Sequence, residues 1–345
     1  MPKISVLVAV YNAAEYLSRC LDSLLAQTLS NVEIICVDDA STDNSWAQLQ
    51  EYAARDGRIT VVRMDANRGQ AVARNVALRR STGDYVTLLD ADDWMAPDAL
   101  ELAMDVFSRH ESTDCVLLDV RYVGDGYAEH GYAWRLPQDV QRNADGSFVR
   151  LDGRAAFLLS LAWQIHGCYV LRGDIFRSLP FDTSCRHFSD DNTTHAHFRA
   201  SREVRCCGGR YYYRQLATSV THAVSTSRMD YMKANASMKR MLVEWGEPEN
   251  VMAMYEYERW KVVVDSYLFY YRHRSSMSAT QRAYCLSEIY KYWHSMEMPL
   301  LPQPCTPKLG YMAFRGKHIP TVVGWLLFRA EEETYFTLKR IFHRI

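Results

Sequence analysis

Within residues 4–95 the chain alternates four apolar, β-branched runs with helical stretches, and this alternation restricts its fold more than any other feature. Residues 4–10, ISVLVAV, are almost continuously apolar, as a strand covered on both faces of a parallel sheet must be. The stretch EYLSRCLDSLLAQT then sets Tyr16, Leu17, Leu21, Leu24 and Leu25 on one side of a helix. Residues 32–38, 58–64 and 84–90 repeat the strand pattern. Between them, helices are predicted from Ser45 to about Ala53 and over QAVARNVALRRS. Pro97 suits the first turn of the helix that continues as DALELAMDVFSRH.

A βαβαβαβ order with short links implies a Rossmann-like, mostly parallel sheet flanked by helices and joined by right-handed crossovers. Ligands of such sheets bind beyond the carboxyl ends of the strands. Tyr11-Asn12, Asp38-Asp39 and Asp90-Ala91-Asp92 all fall at such ends. Their convergence on one rim carries more weight than any one of them.

The 40 basic and 41 acidic residues nearly balance, which argues against a mainly electrostatic nucleic-acid binder. A 48% hydrophobic fraction suits a globular chain. Nine cysteines lack a metal spacing and read as buried free thiols in a reducing compartment. The first residues lack the pattern of a signal peptide, and no apolar stretch approaches a membrane span. A cytoplasmic location is expected.

Further along, residues 115–120 suggest a strand, 121–150 an irregular excursion, RAAFLLSLA a helix and 168–172 a strand. A helix is predicted to start near Asp190, and VRCCGGRYYYRQ gives one or two short strands. From Met229 to about Met298 the pattern is mainly helical. Two domains are expected: 1–225, with halves 1–95 and 96–225, and a helical extension over 226–345.

Asp90 and Asp92 can approach one cation together, and hard divalent ions favour carboxylates combined with phosphate oxygens. Such an ion stabilises a departing diphosphate. An isolated acidic turn would be the simpler reading, but the strand before it and Asp39 beside it favour the metal. Asp39 can accept from a base imide or sugar hydroxyl, or cap its own loop at Ser41 or Thr42; the roles of Asp38 and Asp39 are interchangeable at this level. Neither GxxxxGKS nor an early GxGxxG is present, which excludes P-loop and nicotinamide-binding classes. Asp190-Asp191 either begins a helix or supplies a general base for an attacking hydroxyl. His187, His195, His197 and His222 lack zinc spacing. His222 can still meet a cation if residues 211–222 fold back.

ISVLVAVYNAAEYLSRCLDSLLAQTLSNVEIICVDDASTDNS, DANRGQAVARNVALRRSTGDYVTLLDADD and FSDDN together resemble the family 2 glycosyltransferases, which have the GT-A fold. The resemblance covers residues to about 222. It implies that Val10, Tyr11 and Glu15 line the nucleotide site, that Asp39 binds the uracil of a UDP-sugar, and that Asn67 and Gly69 lie against the nucleotide. Asp90, with Ala91 beside it, would sit near ribose and metal, and Asp92 would be the main ligand of Mn²⁺ or Mg²⁺. Asp93 is their neighbour. Asp191 would be the base of an inverting transfer, with Asp190 standing where relatives often carry Glu. YYYRQLATSVTH resembles the stretch that closes the donor site and adds Arg214, Ser219 and His222. The implied partners are a nucleotide-sugar donor and a saccharide or lipid-linked acceptor, in bacterial capsule, exopolysaccharide or lipopolysaccharide synthesis. A sugar-phosphate nucleotidyltransferase lacks its Gly-rich first loop here, and a non-catalytic sugar-nucleotide-binding subunit is the remaining alternative.

Residues 229–345 carry no assignable motif. They read either as a packing or homodimerising appendage, or as a peripheral contact with the inner membrane face. The mix of apolar, aromatic and basic residues in 310–345 suits an interface, and Glu331, Glu332 and Glu333 speak against it.

Overall fold

The computed structural model describes residues 3–124, 127–188, 190–215, 225–301, 309–315 and 318–343. The chain divides into two units, residues 1–219 and 220–345.

The first unit begins with the alternation read above: β1 (Ile4–Val10), α1 (Ala14–Leu25), β2 (Val32–Asp38), α2 (Ser45–Arg55), β3 (Ile59–Arg63), α3 (Gln70–Leu78) and β4 (Tyr85–Leu88). There follow β5 (Trp94–Met95), α4 (Ala99–Arg109), β6 (Cys115–Gly124), β7 (Tyr127–Gly131), β8 (Leu151–Asp152), α5 (Gly153–Leu161), β9 (Tyr169–Arg172), α6 (Gly173–Ser178), α7 (Asp190–Ala200) and β10 (Glu203–Gln215). The ten strands lie in one sheet of order β3-β2-β1-β4-β9-β6-β10-β5, with β7 beside β6 and β8 beside β10.

β1 to β4 are mutually parallel, with Val10 opposite Asp38 and Leu7 opposite Leu88. Ile4, Val6, Val8 and Val10 are buried with Leu17, Leu21 and Leu24 of α1, which is the apolar stripe expected there. The sheet is more mixed than the first half implies, because β9 runs antiparallel between β4 and β6. This reversal brings the start of β9 to the carboxyl end of β4.

One expectation needs correction. The segment after residue 120 is not irregular from its start, since β6 continues to Gly124 and pairs with β7. Of the one or two strands expected over VRCCGGRYYYRQ, the structure forms one, β10, whose register shifts between Cys206 and Arg210. Gly208-Gly209 let the chain absorb that shift as a bulge. Gly153 allows α5 to reach α7, since a Cβ there would lie 1.7 Å from the carbonyl oxygen of Ser201.

The second unit holds α8 (Asp230–Glu244), α9 (Glu249–His273), α10 (Ala279–His294) and α11 (Thr321–His343). Trp260, Tyr267, Trp293 and Phe328 fill its core. The two indoles donate to the carbonyls of Tyr311 and Ala313. In α11, Glu331 and Glu332 turn inward, and Glu333 pairs with Arg274 and Arg329. The outer side carries Val322, Val323, Leu326 and Leu327 instead. Two of the three acids are therefore buried, while Glu333 stays partly exposed within its ion pairs. No helix among the described residues is long and apolar enough to cross a membrane.

Candidate active site

The rim at the carboxyl ends of β1, β2 and β4 gathers the polar residues singled out above. Tyr11, just beyond β1, is exposed. Val10 is fully buried, so it contributes its carbonyl, which accepts the Asp39 N–H at 2.8 Å. Asn12 crosses to the next loop: its side-chain oxygen accepts from the Thr42 N–H at 2.8 Å. Glu15 is exposed in the first turn of α1, where the helix dipole favours a carboxylate.

The two acids at the end of β2 divide their work. Asp38 is fully buried, accepts from the Ser41 N–H at 3.3 Å and pairs with Arg63 at 3.2 Å. Asp39 accepts from the backbone N–H of Arg68 at 2.8 Å and of Gly69 at 2.7 Å. It thereby fixes the loop that enters α3. Gly69 has φ of +92°, and a Cβ would sit 3.1 Å from Arg186, so glycine is required. Asn67 accepts a hydrogen bond from Arg186.

After β4 the chain turns tightly, with the Asp93 N–H bonded to the Asp90 carbonyl at 3.0 Å. Ala91 is buried within this turn. The Asp92 carboxyl is pushed up to about 6, first by burial and then by Asp90. Asp93 is buried and accepts from the Tyr211 hydroxyl and the Arg214 N–H, both at 2.7 Å. Burial raises its carboxyl well above the usual range. Asp93 is thus a joint between the turn and β10. Arg214 also donates from Nε to the Asp92 carbonyl at 2.9 Å and lies over the rings of Tyr16 and Trp94.

Sequence reasoning missed the residue at the centre. Arg74, on α3, is buried and reaches Asp90 with Nη2 and Asp190 with Nη1, each at 2.5 Å. Gln70, one turn earlier, donates to the same Asp190 oxygen at 2.8 Å. The available signal was a charged residue on the inward face of an otherwise alanine-rich helix. Asp190 is therefore committed to an ion pair. Asp191 forms no ion pair among the described residues, and burial and then Asp190 push its carboxyl well above the usual range against the opposing field of Arg74. A group so placed holds a proton more readily than an ordinary carboxylate.

His195 and His197 serve α7 itself. His195 Nδ1 meets the Ser160 hydroxyl at 2.9 Å, and His197 meets the Tyr169 hydroxyl at 2.7 Å and the Leu179 carbonyl at 3.0 Å. Ser219 and His222 lie outside the described residues. Among the described residues no group of three or more His, Cys, Asp or Glu side chains is arranged to hold a metal ion.

Among the described residues, four of the five non-glycine residues with left-handed backbone lie in this unit, the fifth being Phe314. Asn12, Ala40 and Phe188 adopt positive φ beside Tyr11, Asp39 and Asp190, and Trp163 adopts it at +50°. Such strain concentrates at functional sites.

Residues 5–166 match the family described as glycosyl transferase family 2. The uncharacterized glycosyltransferase EpsJ of Bacillus subtilis (strain 168) is 29% identical over 67% of this chain and 66% of its own length. The chondroitin synthase of Escherichia coli is 35% identical over 39% of this chain but only 20% of its own length. The chain thus spans a minor part of that synthase and just under two thirds of EpsJ. Residues 1–349 of S. aureus TarS, solved in complex with UDP-GlcNAc, share the fold with a TM-score of 0.67 at 18% identity, covering 97% of this chain and 92% of that one.

Proposed function

From the premise that this chain has family 2 glycosyltransferase homology and fold, we propose that it transfers a hexose or N-acetylhexosamine from a UDP-sugar to a saccharide or lipid-linked acceptor, with inversion. The observation that carries the reading is Arg74 joining Asp90, on the nucleotide side of the rim, to Asp190 beside the candidate base Asp191.

In this reading Tyr11 offers its exposed face to the uracil. Asp39 presents its remaining lone pairs to the base while holding the loop at Gly69. Asp191 takes the proton of the acceptor hydroxyl as that oxygen attacks the anomeric carbon opposite the departing diphosphate. Inversion needs no acid partner, because the leaving diphosphate is already a good leaving group.

The residues fit a hard divalent cation in part. Asp92 carries a carboxyl destabilised as an anion by burial and by Asp90, which a cation would relieve. Ions such as Mg²⁺ use one or two carboxylates and complete their shell with phosphate oxygens and water. Mn²⁺ or Mg²⁺ held by Asp92, with Asp90 near, would neutralise the diphosphate. The solved TarS complex contains UDP-GlcNAc, which supports the choice of donor class.

The test is binding of UDP, GDP, CDP and dTDP to the full chain by calorimetry, with and without Mn²⁺. Selective, metal-dependent UDP binding supports the reading. A folded chain that binds none of them points instead to a non-catalytic subunit.

A further inference from the structure

The rim continues past β4 into residues that the proposed chemistry does not use. Because β9 is antiparallel to β4, with Thr87 opposite Val170, the chain entering β9 through Cys168 arrives at the carboxyl end of β4, on the side of Asp90. The Leu118 N–H bonds to the Cys168 carbonyl, and the Tyr132 N–H to that of Val120, so the chain leaving β7 lies at the same edge. Along the rim the order is therefore Asp39, Tyr11, Asp90, then this segment. Cys168 lies within electrostatic reach of Asp93, Asp90 and Arg74.

Here Tyr132, Trp134 and Trp163, all partly buried, cluster with a buried His166. Tyr132 and Trp134 pack at 5.1 Å, and each lies 4.9 Å from His166. The Tyr132 hydroxyl donates to the Trp163 carbonyl at 2.8 Å. Trp163 packs on His195 at 5.2 Å. His195 follows Asp191 by four residues in α7, so the two share one side of that helix.

Two observations set this cluster apart from ordinary core packing. Trp163 holds φ of +50°, a conformation costly for a bulky residue. His166 is 5% exposed, and its Nε2 has no hydrogen-bond partner among the described residues. Its Nδ1 accepts the Cys168 N–H at 3.3 Å. Burial favours the neutral imidazole, and with Nδ1 accepting, the proton resides on Nε2, a donor without an acceptor among the described residues. An unused buried donor is destabilising until a ligand satisfies it.

We propose that Tyr132, Trp134, Trp163 and His166 form the subsite for a pyranose ring of the acceptor, stacked on the aromatic faces with a hydroxyl accepting from His166 Nε2. A sugar ring has one apolar C–H face and a polar edge, which matches rings beside a lone donor. The position beyond Asp90, on the side away from Tyr11 and Asp39, assigns it to the acceptor rather than the donor. The inference rests on the transferase reading and names where its acceptor lies.

The test uses the full chain, a UDP-hexose or UDP-N-acetylhexosamine that it turns over, and p-nitrophenyl hexosides and N-acetylhexosaminides as acceptor probes. Trp134→Ala should raise the acceptor KM about tenfold or more and leave UDP affinity within about twofold. Trp134→Phe, which keeps a ring and guards against a folding defect, should recover most of the loss. Saturation-transfer NMR with the same glycosides should lose its signal in Trp134→Ala. An unchanged KM, or an unchanged NMR signal, overturns the subsite while leaving the transferase intact. A folded wild-type chain that neither binds UDP nor turns over a donor fails the transferase reading instead, and the NMR comparison then decides the subsite alone.

Discussion

The guanidinium of Arg74 stands 2.5 Å from an Asp190 oxygen while its other terminal nitrogen stands 2.5 Å from Asp90. One cation on α3 thus fixes the carboxylate after β4 and the carboxylate at the start of α7. These residues are far apart in sequence, and no local interaction would hold them in register.

Breaking this bridge leaves two carboxylates without their cation. Arg74→Ala should lower stability, though by less than the roughly 3–5 kcal/mol of a fully buried pair, because the Asp90 side chain is 39% exposed and can be rehydrated. Arg74→Lys keeps the charge but cannot span both acids, because an ammonium has no planar fork. It should retain most of the melting temperature and lose transfer by about a hundredfold or more. Thermal melts beside kcat measurements separate the two effects, and equal activity of the Lys variant would discount the bridge.

Asp191→Asn should abolish transfer while UDP still binds with wild-type affinity. A general base contributes roughly 10²–10⁴-fold, which sets the expected loss. Asp190→Asn should act differently, since it weakens the Arg74 pair and lowers both stability and rate. Isothermal titration with UDP and a transfer assay read out both variants. Full activity in Asp191→Asn would move the base elsewhere.

Asp39→Ala should loosen the entry to α3 as well as the nucleotide. The N–H groups of Arg68 and Gly69 lose their acceptor, at about 1–3 kcal/mol for each one left buried. UDP affinity should fall, and amide hydrogen exchange should quicken at residues 67–70. Unaltered exchange there would show that the loop does not depend on this carboxylate.

The second unit should weaken as pH rises. Glu332 is fully buried, and burial followed by Glu331 and Asp265 pushes its carboxyl up to about 9. A carboxyl raised above its unfolded value, near 4.3, binds its proton more tightly when folded. Its stability is therefore whole below that unfolded value and is lost progressively as pH climbs toward 9. Glu332→Gln should flatten this slope in melts recorded from pH 5 to 9. A wild-type melting temperature that rises over the same range would contradict the assignment.

The sequence by itself determined the parallel half of the fold and the identity of its rim. The apolar runs at 4–10 and 32–38 cannot be solvated, so they must lie inside a covered sheet, and Tyr11, Asp39 and Asp90 must then emerge at its carboxyl ends. Strand polarity follows from local patterning, and so it was legible. Tertiary structure decided what depends on distance through space. That Asp38 serves its own loop while Asp39 holds Gly69 depends on where the entry to α3 arrives. That β9 runs backwards beside β4 depends on sheet pairing between residues far apart in sequence, and with it comes the aromatic cluster at Trp134. Arg74 reads locally as one more helix-forming residue. Only the packing of α3 on β1 and β2, which brings its inner side to Asp90 after β4 and Asp190 at the start of α7, turns its charge inward, where desolvation makes two acidic partners necessary.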